Sequence, residues 1–165
     1  MSDLDQKMSA LAKLTGWQAL NKPDQFGVRR VALENDLDAV FFALGGKICV
    51  MRGVVLELDK PEEKEAIYAD AAQKAVAVLR MRPSILALEE AGPAQVPGAS
   101  DLKFAQLICY RMVPLNVDDD TMSSEVQGWL NDLAWWKNSL SSKQSGGGES
   151  IFSLNYFQTP NFQFN

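Results

Sequence analysis

Residues 26–58 read FGVRRVALENDLDAVFFALGGKICVMRGVVLEL, and this stretch decides the fold. From Phe26 to Glu34 the chain alternates, with Gly27, Arg29, Val31 and Leu33 on one side and Phe26, Val28, Arg30 and Ala32 on the other. That period of two, in β-forming residues, predicts a strand. Asn35-Asp36 is a turn. Leu37 to Leu44 is a nearly continuous apolar run, and Gly45-Gly46 has the composition of a tight hairpin turn. Lys47 to Leu58 resumes as a strand in which Gly53 is the candidate bulge or bend. Three antiparallel strands joined by short turns are the simplest account.

Upstream, Leu4, Met8, Leu11 and Leu14 share one helical face, with Asp5, Gln6, Lys7 and Lys13 largely off it. Ser2 suits the cap and Gly16 the stop. Met8 fills a gap or serves an adaptable binding surface. Downstream, Asp59 with Glu62 three residues on, and Pro61 in the first turn, start a second helix. Ile67, Ala71, Ala75, Val78 and Leu79 recur at helical spacing up to Pro83. Ser84 to Glu89 reads as a short strand, Gly92 to Ser100 as a loop with two prolines, and Leu102 to Leu115 as a strand. Asp118 to Ser124 is a polar turn in which Thr121 or Ser123 can cap a last helix. There Val126, Trp129, Leu130, Leu133 and Trp136 share a face, while Trp135 lies about 100° away and suits a rim. Helix, three strands, helix, two strands, helix is an α+β order with an antiparallel sheet.

The 165 residues fit one domain. No apolar run approaches the roughly 20 residues of a membrane-spanning helix, and Asp3 and Asp5 argue against a signal peptide, so a cytoplasmic protein is expected. A net charge of -5 disfavours nucleic acid and anionic membranes as partners. Histidine is absent, which removes Ser-His-Asp and Cys-His hydrolases, most zinc sites and every imidazole acid–base mechanism. Cys49 and Cys109 lie in apolar runs and read as buried free thiols. Asp118-Asp119-Asp120 with Glu125 lacks the glycine and ligand spacing of a calcium loop and reads as a solvated turn. Glu62-Glu63 and Glu89-Glu90 are adjacent carboxylates that point apart. The Gly-rich stretches lack the lysine and Ser/Thr of a phosphate loop. Arg29, Arg30, Arg52, Arg80, Arg82 and Arg111 are scattered, as solubility and local ion pairs require. No enzyme, cofactor or metal is expected.

The chain divides into a domain over residues 1–140, a Ser/Gly linker over 141–148 and an aromatic segment over 149–165. The last segment sets Ile151, Phe152, Leu154, Tyr156, Phe157, Phe162 and Phe164 among Ser, Asn and Gln. It is too short to build a core, so Ile151, Phe152, Leu154, Phe157, Phe162 and Phe164 must dock on something or invite aggregation. It is either a native extension that packs on its own domain or a partner peptide joined through Gly146-Gly147-Gly148. The abrupt change of composition at the glycines favours the second.

The order of elements and the acidic charge resemble the class I chaperones of bacterial type III secretion. The pattern of the final third carries the resemblance. A strand with an Arg and a Pro-Leu near its end corresponds to Leu107-Ile108-Cys109-Tyr110-Arg111-Met112-Val113-Pro114-Leu115, followed by the acidic turn Asp118 to Asp120. The closing helix corresponds to Trp129 to Leu140, with Trp136-Lys137 as its Trp-basic pair. The resemblance covers about residues 2–140. It departs at Arg82-Pro83, which lacks the family's Asn-containing turn, and in the long loop from Gly92 to Ser100.

The resemblance implies an ATP-independent, usually homodimeric chaperone of the bacterial cytoplasm. Such a protein binds an extended segment of a secreted effector, gatekeeper or translocation protein and keeps it export-competent. It further implies a peptide groove at Leu4, Met8 and Leu11 of the first helix with Val28, Val31 and Phe41 of the early strands. The dimer interface would lie at Ile67, Ala71 and Ala75 of the second helix and the strand around Leu107. The alternative from another class is a small acidic inhibitor or immunity protein that blocks a partner through a preformed acidic patch.

Overall fold

A computed structural model describes residues 3–15, 22–33, 37–58, 60–78, 80–90 and 105–141. The elements are α1 (Asp3–Thr15), β1 (Arg29–Leu33), β2 (Leu37–Leu44), β3 (Ile48–Leu58), α2 (Pro61–Val78), β4 (Ile85–Glu90), β5 (Ala105–Pro114) and α3 (Asp119–Ser141). The five strands form one antiparallel sheet in the order β1-β2-β3-β5-β4. This is the α+β arrangement expected from the pattern. Ser2, Gly16, Asn35-Asp36, Asp59, the loop from Gly92 to Ser100, residues 142–148 of the linker and the aromatic segment lie outside the described residues, while Ser141, expected to open the linker, closes α3.

The β2–β3 hairpin turns at Gly45 and Gly46, whose φ values are +58° and +70°. Two successive positive φ values match the right-handed strand twist and favour glycine at both places. Four expectations shift. Strand β1 starts at Arg29 and not Phe26, because the Asp24 Oδ1 accepts from the amides of Phe26 (2.8 Å) and Val28 (2.9 Å) and folds that segment into an Asx-type turn. The β3 irregularity falls between Val54 and Leu56, while Gly53 stays in ladder register with Ala39 and Cys109. The cap of α3 is Asp118, not Thr121 or Ser123: its carboxylate accepts from the Thr121 amide (2.7 Å) and hydroxyl (2.8 Å). Those bonds, the amide's first, hold the Asp118 carboxyl below its usual range. Leu14, placed by spacing on the apolar face of α1, is 52% exposed.

The two faces of the sheet follow from alternation. Phe41 meets Trp129 of α3 edge-on at 5.8 Å, and a Cβ on Gly53 would point at Leu133 of α3. Leu37, Ala39 and Phe41 of β2, Cys49 and Met51 of β3, and Leu107, Cys109 and Val113 of β5 therefore share the α3 face. These residues form the core with Leu4, Met8 and Leu11 of α1, Ala71 of α2, and Val126, Trp129, Leu130, Leu133 and Trp136 of α3. Trp135, expected at a rim, is buried, with the Arg82 guanidinium 4.6 Å from its ring centroid. Cys49 and Cys109 are free and buried, and loss of solvation pushes both thiols up to about 12.

Gly53 explains how closely α3 can lie on the sheet. An added Cβ would stand 2.4 Å from Leu133 Cδ2 and 3.2 Å from the Asp38 carbonyl, and Leu133 is fully buried. Gly53→Ala is expected to lower unfolding stability by about 1–3 kcal/mol through overpacking, read as a reduced urea midpoint at unchanged m-value. An equally stable variant would show that α3 can move away from the sheet.

Candidate peptide-binding surfaces

Buried charge locks the helices to the sheet. Asp132, in the middle of α3, accepts from Arg82 Nη1 at 3.1 Å, from Arg111 Nη2 at 2.9 Å, and from the Ser84 hydroxyl at 2.5 Å and amide at 3.3 Å. One carboxylate thus joins α3 to β5 and to the segment leading into β4. Arg111 also reaches the Glu125 carboxylate (3.0 Å) and carbonyl (3.2 Å). A Cβ on Gly128 would stand 2.9 Å from Arg111 Nη1, so that mid-helix glycine leaves room for the guanidinium. Lys74 of α2 donates to the Ser139 carbonyl of α3 at 2.6 Å and pairs with Asp70 at 3.1 Å. Arg29 of β1 pairs with Asp5 of α1, and Lys7 of α1 with Asp119 of α3. From sequence these arginines read as scattered charges serving solubility and local ion pairs. Their partners are distant along the chain, so no local spacing could have shown the network.

The six residues expected to line the groove are all buried. Leu4, Met8, Leu11, Val31 and Phe41 belong to the core, and Val28 is buried outside that cluster. None of them presents a side chain to solvent. Of the expected dimer residues, Ala71 and Leu107 are core and Ile67 and Ala75 are half-buried. The exposed apolar residues of α2 stand elsewhere on the helix: Tyr68 is 56% and Val76 is 81% exposed, with Met81 exposed just beyond its end.

Three surfaces bear on the binding of extended polypeptide or a second copy. The first is the outer edge of β1, which pairs only with β2 among the described residues. The second is the exterior of α2. The third is the sheet face opposite α3, which carries Val40, Phe42 and Leu44 of β2, Ile48, Val50, Arg52 and Val54 of β3, Gln106, Ile108, Tyr110 and Met112 of β5, and Ile85 and Glu89 of β4. None of the apolar residues of this face joins the core that contains the inward faces of α1, α2 and α3. Its polar members form one group, in which the Glu89 carboxylate accepts from Arg52 and from the Gln106 amide. The sequence reading did not assign this face a role, although the largely apolar runs of β2 and β3 were its signal. Strands that are apolar on both sides belong to sheets covered on both sides.

Among the described residues no cluster of His, Cys, Asp or Glu could hold a metal ion, and no helix is long and apolar enough to cross a membrane. No protein-family model matches the sequence, and no curated protein matches it. Solved structures do resemble the fold, two of them as follows. A chain of the HopA1–SchA chaperone–effector complex aligns with a TM-score of 0.55 at 17% identity, covering 82% of this chain and 94% of that one. An uncharacterized protein from Methanothermobacter thermautotrophicus aligns with a TM-score of 0.55 at 10% identity, covering 84% and 97%. At such identities the likeness concerns the fold, which is type III chaperone-like.

Removing the shared carboxylate should be expensive, because Arg82 would be left half-buried without its partner and Ser84 without its acceptor. Asp132→Ala is expected to cost about 3–5 kcal/mol in guanidinium unfolding. A loss below about 1 kcal/mol would mean that the network is not what joins α3 to the sheet.

Proposed function

We propose that this chain is an ATP-independent, non-enzymatic chaperone of the bacterial cytoplasm. It binds an extended segment of a type III secreted effector, gatekeeper or translocation protein and keeps that segment competent for export. The observation that carries this reading is a sheet with its helices on one face and an edge at β1 that pairs only with β2 among the described residues, in a fold like that of a chain from a chaperone–effector complex. An extended segment gains main-chain hydrogen bonds by adding to an edge strand, and its alternate side chains supply specificity. The buried residues Leu4, Met8, Leu11, Val28, Val31 and Phe41 act here as the support that holds β1 in place, with the Arg29–Asp5 pair tying the strand to α1. A client bound this way bears the ordering cost itself and reaches the export channel without first being unfolded.

The same reading includes a homodimer, with α2 as the contact. The expected residues Ile67 and Ala75 flank the contact, while Tyr68 and Val76 present the apolar surface that a second copy would cover. Light scattering is expected to give twice the chain mass, and Val76→Asp to give a single chain mass with unchanged near-ultraviolet circular dichroism. A wild-type protein that is monomeric at tens of micromolar contradicts the dimer.

Client binding is tested by hydrogen exchange on the full-length protein with peptides from the N-terminal regions of type III secreted proteins. The expected result is slowed exchange at the amides of residues 29–33 in the presence of one such peptide. Binding that protects other surfaces and leaves these amides unchanged would refute edge addition, and failure of every extended segment to bind would refute the chaperone reading.

A further inference from the structure

The sheet face opposite α3 is apolar, yet it has no helix among the described residues. Val40, Val50 and Ile108 on it are nonetheless buried, at 3%, 7% and 8% exposure, and they lie outside the core cluster. Arg52 and Gln106 on the same face are also buried. Around this covered centre lies an open fringe, with Leu44 53%, Met112 47% and Ile85 46% exposed. Gln106 adds a polar requirement: its Nε2 donates to Glu89, while its Oε1 has no hydrogen-bond partner among the described residues. A buried amide oxygen in that position calls for an N–H donor from whatever lies above it. The cover must therefore be mostly apolar and must carry amide donors.

We propose that residues 149–165 of this same chain lie as extended polypeptide across that face. The segment has the required chemistry. It carries five aromatic residues together with Ile151 and Leu154, five Asn and Gln side chains, and a single charged residue, Glu149. The Arg52 guanidinium has its counter-charge, Glu89, within the sheet, so an uncharged cover strands no charge. The lengths agree as well. Helix α3 ends at Ser141, and the seven residues 142–148 can span about 23–25 Å, enough to round the end of a sheet and reach its other side. Five strands are roughly 20 Å across, and the run from Ile151 to Phe157 covers about the same distance when extended. Pro160 then separates a second short run that contains Phe162 and Phe164.

This inference does not rest on the chaperone reading, since it concerns a contact within the chain and is measured with no client present. The full-length protein is examined by hydrogen exchange and by limited chymotrypsin digestion at the aromatic residues of 149–165. Exchange of these amides at least tenfold slower than in the isolated 149–165 peptide is expected, unchanged on tenfold dilution. Leu44→Lys with Met112→Lys places charge on the exposed fringe without touching the core, and should bring both rates to those of the free peptide. Leu14→Lys, at an exposed site on α1, should leave them unchanged. Near-ultraviolet circular dichroism of the tryptophans verifies that each variant is folded. A segment that exchanges like the free peptide in the wild-type chain overturns the proposal, as does protection that survives the fringe substitutions. Protection lost on dilution assigns the face to a second copy and overturns docking within one chain.

Discussion

The seating of α3 across the sheet is the constraint on which the other features depend. Leu133 occupies the space left by Gly53, Trp129 packs on Phe41, and Asp132 holds guanidiniums from two separate parts of the chain. With α3 on that face, α1 and α2 complete the same apolar layer through Leu4, Met8, Leu11 and Ala71. Every helical face is used on one side. The sheet is then left with two edges and a second, largely apolar face that carries no helix among the described residues. A fold built this way suits the reception of unfolded chain, because extended polypeptide is what edges and flat apolar faces accommodate.

The ionic network makes that seating specific. Apolar packing alone would allow α3 to slide along the sheet by a turn, since Leu, Val and Trp surfaces are tolerant of exchange. Asp132 removes that freedom, because a buried carboxylate needs its donors at one register. Arg82, Ser84 and Arg111 supply them only where the entry to β4, strand β5 and the middle of α3 coincide. The cation over Trp135 strengthens the same corner.

Element order was readable because the strands announce themselves by alternation and the hairpin by Gly45-Gly46, both local signals. The core side of α3 was readable from the spacing of Val126, Trp129, Leu130, Leu133 and Trp136. The sites were not readable in the same way. Leu4, Met8, Leu11, Val31 and Phe41 qualify by hydrophobicity for a groove and for a core alike, and only the tertiary packing places them in the core. On α2, alanines at several spacings leave the apolar direction ambiguous, so the pattern picked out Ala71, which packs inward, and passed over Val76, which points outward. Gly53 reads as a bulge, but it stays in register and instead makes room for a helix 80 residues away in sequence, beyond any local window.

The account predicts that a client stays extended while held, because a strand edge pairs only with extended chain. The direct measurement is the backbone chemical shifts of an isotope-labelled client segment bound to the full-length protein. Extended-chain shifts throughout the bound region, with no native-like tertiary contacts inside the client, are the predicted result. A bound segment with helical shifts, or one that retains its own packed core, would contradict it.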